Sequence, residues 1–299
     1  MIVEKSISFR RLLQVIWQEL LCILVVSALP VICLIYFDLG EYSINASIPL
    51  VIGTAIAIFL GFRTNSAYER WWEGRKLWGA IIVDSRSLIR LGNQYIGHSN
   101  RVEQRRLCFR QIAYTKILDH ELKSLPFPEE TKQFLDDEEY QRVSSARNPM
   151  LQLIALQSDT VGDALRRGEM DSRQAVLMEE TLSRLTNHYG GCQRIKNTVF
   201  PVHYTFFTRV FIWIFIVLLA FSLPAHENAN YSLIPAIFLI GWVFFMVEGI
   251  GSYMQDPFEN NRNVIPMSSI SRTVEIELKE AIGETELPEP AKPIDGALF

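Results

Sequence analysis

Residues 59–79 read FLGFRTNSAYERWWEGRKLWG, and they change character in the middle. An apolar run ends at Phe62 and passes, without a proline, into Arg63, Glu69, Arg70, Glu73, Arg75 and Lys76, with Trp71, Trp72 and Trp78 among them. A helix that is apolar first and charged afterwards is the pattern of a membrane exit. Its first part belongs in hydrocarbon, its tryptophans at the interface or packed in the domain beyond, and its charges in water.

The rest of the chain fits that reading. Four segments, Leu20–Tyr36, Ile44–Phe62, Phe206–Leu223 and Ser232–Ile250, approach the roughly 20 apolar residues that a bilayer requires. No Lys or Arg stands between Arg11 and Arg63, or between Arg209 and Arg262. The loops FDLGEYSINA and PAHENANY carry only Asp38, Glu41, Glu227 and one histidine, as expected of non-cytoplasmic loops. The expected order is a cytoplasmic segment (1–19), a first membrane hairpin (20–62), a cytoplasmic helical domain (63–205), a second hairpin (206–250), and a cytoplasmic C-terminal helix with a proline-rich tail (251–299). Both termini are then expected in the cytoplasm, and the expected location is the cell inner membrane.

Composition agrees and excludes other classes. In 299 residues, 49% hydrophobic side chains beside 21% charged ones imply two unlike parts. A net charge of -4, with no basic block among aromatics, excludes a nucleic-acid partner. Cys22, Cys33, Cys108 and Cys192 have no Cys-x-x-Cys spacing, and Cys22 and Cys33 would lie about 16 Å apart on one helix, so all four read as buried thiols. The N-terminus lacks the small-residue cleavage site of a signal peptide.

The middle region is patterned for helices, with apolar residues at i, i+3, i+4 and i+7 in DSRSLIRLGNQYI, RRLCFRQIAYTKILDHELKSL, NPMLQLIALQSDTVGDALRRG and SRQAVLMEETLSRLTNHYGGCQRI. Breaks fall at GHSN, PFPEE, SSARNP and RGEMDS, and Asn148 before Pro149 reads as a helix N-cap. Catalysis finds no footing. The five histidines are scattered without a His-Glu-x-x-His, the run Asp136–Glu139 sits in a polar linker, and no serine lies in a Gly-x-Ser-x-Gly turn. No catalytic residue, metal site or cofactor is expected, and the chain is not read as an enzyme.

The opening stretch, with CQRIKNTVFPVHYT (192–205) and QDPFENNRNVIP (255–266), resembles the bestrophin family, and its bacterial branch more than the animal one. The resemblance covers nearly the whole chain and rests most specifically on Arg70-Trp71-Trp72. It implies an all-α fold with four membrane helices and a large helical cytoplasmic domain per subunit. It also implies a homopentamer in the lipid bilayer around one central pore, with a neck in the membrane and a cytosolic aperture.

Residue by residue, Thr54, Ile58 and Phe62 are four apart and share one helix face, which alone reads more readily as ordinary core. The resemblance places Ile58 and Phe62 on two of the family's neck positions. Thr54 falls on the third, where the family usually has an aliphatic side chain, so a wetter outer end is expected. Apolar rings of this kind gate by dewetting. Phe200, before Pro201, reads alone as core ahead of a helix and by resemblance as the aperture. The small residues Gly53, Thr54, Ala55, Ala57 and Gly61 suit a close ring of helices. Glu19 and Arg209 are expected to reach the interface, and Glu248 to lie near it or to meet the pore. After the fourth span, Asp256-Pro257-Phe258 is followed by Glu259, Asn260, Asn261 and Arg262, too few acidic oxygens for the family's calcium clasp. Small monovalent ions are the expected cargo. Cations are favoured because bacterial relatives are associated with cation conduction and Asp38, Glu41 and Glu227 would make an acidic mouth. The alternatives are a chloride channel of the same family, or a membrane-anchored interaction or sensor protein without conduction.

Overall fold

The structure is a computed structural model that describes residues 9–37, 44–96, 100–222, 231–259 and 265–293. Among those residues there is no strand. The helices are α1 (Phe9–Tyr36), α2 (Ser47–Tyr95), α3 (Arg101–Leu122), α4 (Asp137–Ser144), α5 (Pro149–Arg166), α6 (Ser172–Asn197), α7 (Val202–Ser222), α8 (Leu233–Met254) and α9 (Met267–Ala281), with a 3-10 turn at Glu129–Gln133. The charge that begins at Arg63 does not interrupt α2, which is one helix of 49 residues. The chain divides into two compact units, and the division falls within α2, between Arg70 and Trp71.

The apolar unit holds α1, α2 up to Arg70, α7 and α8. Helices α1, α7 and α8 pack against one another, and Ile23, Val31, Ile56, Leu60, Ile212, Phe215, Ile216, Ile237 and Phe245 form the core with α2. Two glycines set close approaches. A Cβ at Gly53 would stand 2.7 Å from the Phe215 ring, and one at Gly241 would stand 2.8 Å from Ile216. Gly53 is therefore used inside the subunit, to bring α2 against α7, and differs in this from the close ring expected of it. Four helical stretches, Trp17–Tyr36, the apolar part of Ser47–Tyr95, His203–Ser222 and Leu233–Met254, are long and apolar enough to cross a membrane, yet only between 22% and 33% of each is buried within the chain. Leu21, Leu24, Val25, Leu29, Leu239 and Val243 are exposed on their outer sides. Water is a poor medium for such faces, and a bilayer or further subunits are the media that match them. Cys22 is exposed on α1 rather than buried, because it lies on this outer surface.

The second unit holds the remainder of α2, α3–α6 and α9 around Trp78, Ile81, Leu88, Leu107, Ile112, Leu118, Met178 and Leu185. Its breaks carry helix caps, of which Asn148 is the one the sequence expects. Asn148 accepts from the Leu151 N–H at 3.1 Å with Pro149 in the first turn of α5, and Asp171 and Gln174 close a capping box on α6. Burial pushes the Cys108 and Cys192 thiols up to about 12, so both remain protonated.

The buried side chains Arg110 and Lys116 of this unit are paired. Arg110 donates to the Leu156 carbonyl and to Thr160 Oγ1, both at 2.6 Å, and forms an ion pair with Glu139. Helix α9 is held to α3 by Lys116, which lies 3.1 Å from Glu275. Burial alone would raise the Glu275 carboxyl, but the Lys116 charge, with Lys279 and Arg272, outweighs it and leaves the group below its ordinary value. A carboxyl depressed by folding contributes stability above its unfolded pKa of about 4.3, and loses it as the pH falls through the folded value. Acid unfolding monitored by far-UV circular dichroism is expected to be shallower in Glu275→Gln, which has no such proton to take up. An unchanged acid limb would contradict this.

Candidate functional site

The site builds from the periodicity of α2. Gly53, Ile56, Leu60, Arg63 and Ala67 are buried and recur at spacings of three and four, one continuous seam toward the rest of the unit. At 100° per residue, Thr54, Ile58 and Phe62 lie on the opposite side of the helix. They are exposed on the single chain, Ile58 by 57% and Phe62 by 67%. The core role that their spacing alone allowed is excluded, since the core of α2 is the other face. The Thr54 hydroxyl donates to the Leu50 carbonyl at 2.8 Å. Ala57 and Gly61 are exposed beside the stripe, and a Cβ at Gly61 would meet nothing within 4 Å. Further along the same face the residues become polar, where Asn65 Nδ2 donates to Glu69 Oε1 at 2.8 Å.

Arg63, where the opening stretch turns from apolar to charged, lies inside the subunit. This residue is 1% exposed, on the buried seam, and is not simply the first charge in water. Its Nη1 donates to Glu248 Oε1 at 2.9 Å, and its Nη2 donates to Ser252 Oγ at 2.7 Å and Thr205 Oγ1 at 3.2 Å. Glu248, also 1% exposed, takes a second cation at its other oxygen, Arg209 Nε at 3.2 Å, and Arg209 Nη2 lies 3.5 Å from Glu19. One cluster therefore ties α2, α7, α8 and α1 together one residue beyond Phe62. Glu248 is thus occupied by two arginines inside the subunit. Arg209 and Glu19 pair with each other as well as reaching outward. Sequence reading missed the partnership. Its only signal was the opposite sign of Arg63 and Glu248 at corresponding ends of two spans.

Phe200 lies in the break before α7, half-buried. Its ring meets Tyr204 edge-on at 6.3 Å, and Tyr204 stacks on Phe59 of α2 at 4.3 Å. A chain of aromatic contacts thus runs from the candidate aperture residue to the helix carrying the candidate neck. The candidate mouth charges Asp38, Glu41 and Glu227 lie outside the described residues, as do Asn260, Asn261 and Arg262. Asp256 stands 3.8 Å from Arg70, and the described residues contain no group of three or more His, Cys, Asp or Glu arranged to hold a metal.

Comparison with known proteins bears on this geometry. A family model described as Bacterial/Fungal Bestrophin protein matches residues 6–280. The chain is 30% identical over 254 residues to the voltage-dependent anion channel-forming protein YneE of Escherichia coli K12, covering 85% of this chain and 80% of that one. It is 29% identical over 248 residues to a voltage-dependent anion channel-forming protein of Mesorhizobium japonicum, covering 83% and 78%. Among solved structures, a mutant of a bacterial bestrophin homologue from Klebsiella pneumoniae superposes with a TM-score of 0.84 at 25% identity, over 90% of this chain and 99% of that one. Another structure of that homologue gives 0.85 at 24% identity, over 91% and 100%.

Proposed function

The chain belongs to the bacterial and fungal bestrophin family, and from that premise we propose that this ion-channel protein assembles as a homopentamer in the inner membrane and passes small monovalent ions along its axis. Thr54, Ile58 and Phe62 line the neck, and Phe200 narrows the cytosolic aperture. The observation that carries this reading is the position of the stripe. An apolar face directed away from its own subunit's core must meet lipid, a neighbouring subunit or the pore, and a stripe that becomes Asn65 and Glu69 along the same line suits water better than hydrocarbon. In a pentamer each position recurs as a ring, with Ala57 and Gly61 beside it small enough for neighbouring helices to come close.

The Thr54 hydroxyl, already bonded to Leu50 O, has less need of water than a free one, so the outer ring is drier than its residue type implies. The two membrane hairpins (20–62 and 206–250) have their non-cytoplasmic loops free of Lys and Arg. Residues 63–205 and both termini lie in the cytoplasm. Calcium has no part in this reading, because Asp256 faces a cation, Arg70.

On selectivity the cation expectation gives way to the anion alternative. The relatives at 28–30% identity are called anion channel-forming proteins, and phenylalanine rings presenting their electropositive edges to a narrow neck suit an anion. A specific observation favours the second reading, cations: Glu69 continues the Thr54–Ile58–Phe62 stripe, and five copies would make an acidic ring. Purified protein in a planar bilayer under a potassium chloride gradient is expected to reverse near the chloride equilibrium potential, with Glu69→Gln moving the reversal further toward it. Reversal near the potassium potential, abolished by Glu69→Gln, would establish the cation reading instead. Mass measurement in detergent is expected to give five subunits, and a monomer or dimer would overturn the ring.

A further inference from the structure

The second unit contains a cavity of about 300 Å³ between α3, the turn that follows it, the start of α5 and the end of α6, at the small end of the roughly 300–1,000 Å³ typical of small-molecule sites. Ile117, Leu125 and Phe127 give it apolar walls, and Glu121, Arg147, Asn148, Tyr189 and Gln193 place polar groups around it. Most of these polar groups are already fixed. The Tyr189 hydroxyl donates to Glu121 Oε1 at 2.9 Å, with Asn148 Oδ1 at 3.2 Å as its alternative acceptor, and Gln193 Nε2 donates to the same Glu121 oxygen at 3.0 Å. Burial, then the bond to Glu121, push the Tyr189 hydroxyl above its ordinary value, so it stays a donor. His120 Nδ1 donates to the Pro126 carbonyl at 2.8 Å, which leaves its other ring nitrogen an acceptor in the neutral ring.

One buried acceptor is left over, and one exposed cation faces the same cavity. Glu121 Oε2 is buried without a hydrogen-bond partner, and no described cation lies within ion-pair distance of this carboxylate. That arrangement is costly unless something supplies a donor. Arg147, on the same cavity, also has no ion-pair partner among the described residues. The unit pairs its buried charges Arg110 with Glu139 and Lys116 with Glu275, whereas the buried Glu121 Oε2 has no partner and shares its cavity with the exposed guanidinium of Arg147. A simple cation would satisfy the first and be repelled by the second, and a simple anion the reverse.

We propose that this cavity is a binding site for a small zwitterion with an ammonium group, a carboxylate and a short apolar body, the class to which free amino acids belong. The ammonium pairs with Glu121 and donates to its unmatched oxygen, the carboxylate takes the Arg147 fork, and the apolar body lies against Ile117, Leu125 and Phe127. The site is separate from the conduction reading, and either stands if the other fails.

Isothermal titration of the full chain in detergent tests it, with L-alanine and L-valine as zwitterions and propylamine and propionate as the corresponding single charges. Saturable binding of at least one zwitterion is expected, weaker by roughly tenfold or more in Glu121→Gln and in Arg147→Gln, with both single-charge probes weaker by a similar factor. Glu121→Gln keeps an oxygen for Tyr189 and Gln193, and Arg147 is exposed, so neither variant removes a core contact. Absence of binding by both zwitterions, propylamine or propionate binding as tightly as they do, or unchanged affinity in both variants would each overturn the proposal.

Discussion

Glu248→Ala is expected to lower the stability of the apolar unit by about 3–5 kcal/mol, the cost of leaving a buried charge without its partner. Arg63, 1% exposed and aimed at Glu248, would keep its guanidinium where neither water nor another carboxylate reaches it. The effect is larger than for an ordinary surface pair, whose value is about 0–1 kcal/mol. It has a diagnostic rescue. Replacing both partners, Arg63→Met with Glu248→Leu, removes the unpaired charge together with the pair and is expected to recover most of the loss. Thermal unfolding in detergent, followed with the oligomer's elution on size exclusion, reads both. A double variant no more stable than Glu248→Ala would show that Arg63 depends on something other than this pair.

The second large effect is on conduction. If Ile58, Phe62 and Phe200 line constrictions, Ala at any one of them widens or wets the passage, and flux through reconstituted protein rises. Were they core residues, the same changes would leave cavities costing about 2–5 kcal/mol and a less stable protein. The 57% and 67% exposure of Ile58 and Phe62 argues that little packing within the subunit is lost, so those two variants are expected to fold and assemble like the parent. Thr54→Ile adds an apolar ring and is expected to lower flux, by a modest amount because the Thr54 hydroxyl is already bonded to Leu50. Alanine variants that assemble normally and conduct like the parent would remove these residues from the pore.

Much of the fold was legible because its causes are local. Apolar length located the four spans, and side-chain chemistry located the Asn148 cap and the helix starting at Pro149. What stayed hidden depends on contacts between residues far apart in sequence. Arg63 and Glu248 are separated by 185 positions, and each alone reads as an interfacial charge. Gly53 is small for the sake of Phe215, which the second span by itself does not show. The stripe at Thr54, Ile58 and Phe62 had the right period for either a core or a surface, and only the packing of Ile56, Leu60 and Arg63 on the opposite side decides between them. Cys22 was misjudged for a related reason: an apolar face counts as interior in water and as exterior in a bilayer.

The most direct test of the pore is water access at the neck. In protein with its four native cysteines replaced by serine, Ile58→Cys reconstituted in a planar bilayer is treated with a charged, membrane-impermeant thiol reagent while the current is recorded. A pore-lining position 58 predicts that the reagent changes the current at once and that a thiol reductant restores it. A current that never changes, with the cysteine accessible only to lipid-soluble reagents, would place Ile58 against lipid and contradict the account.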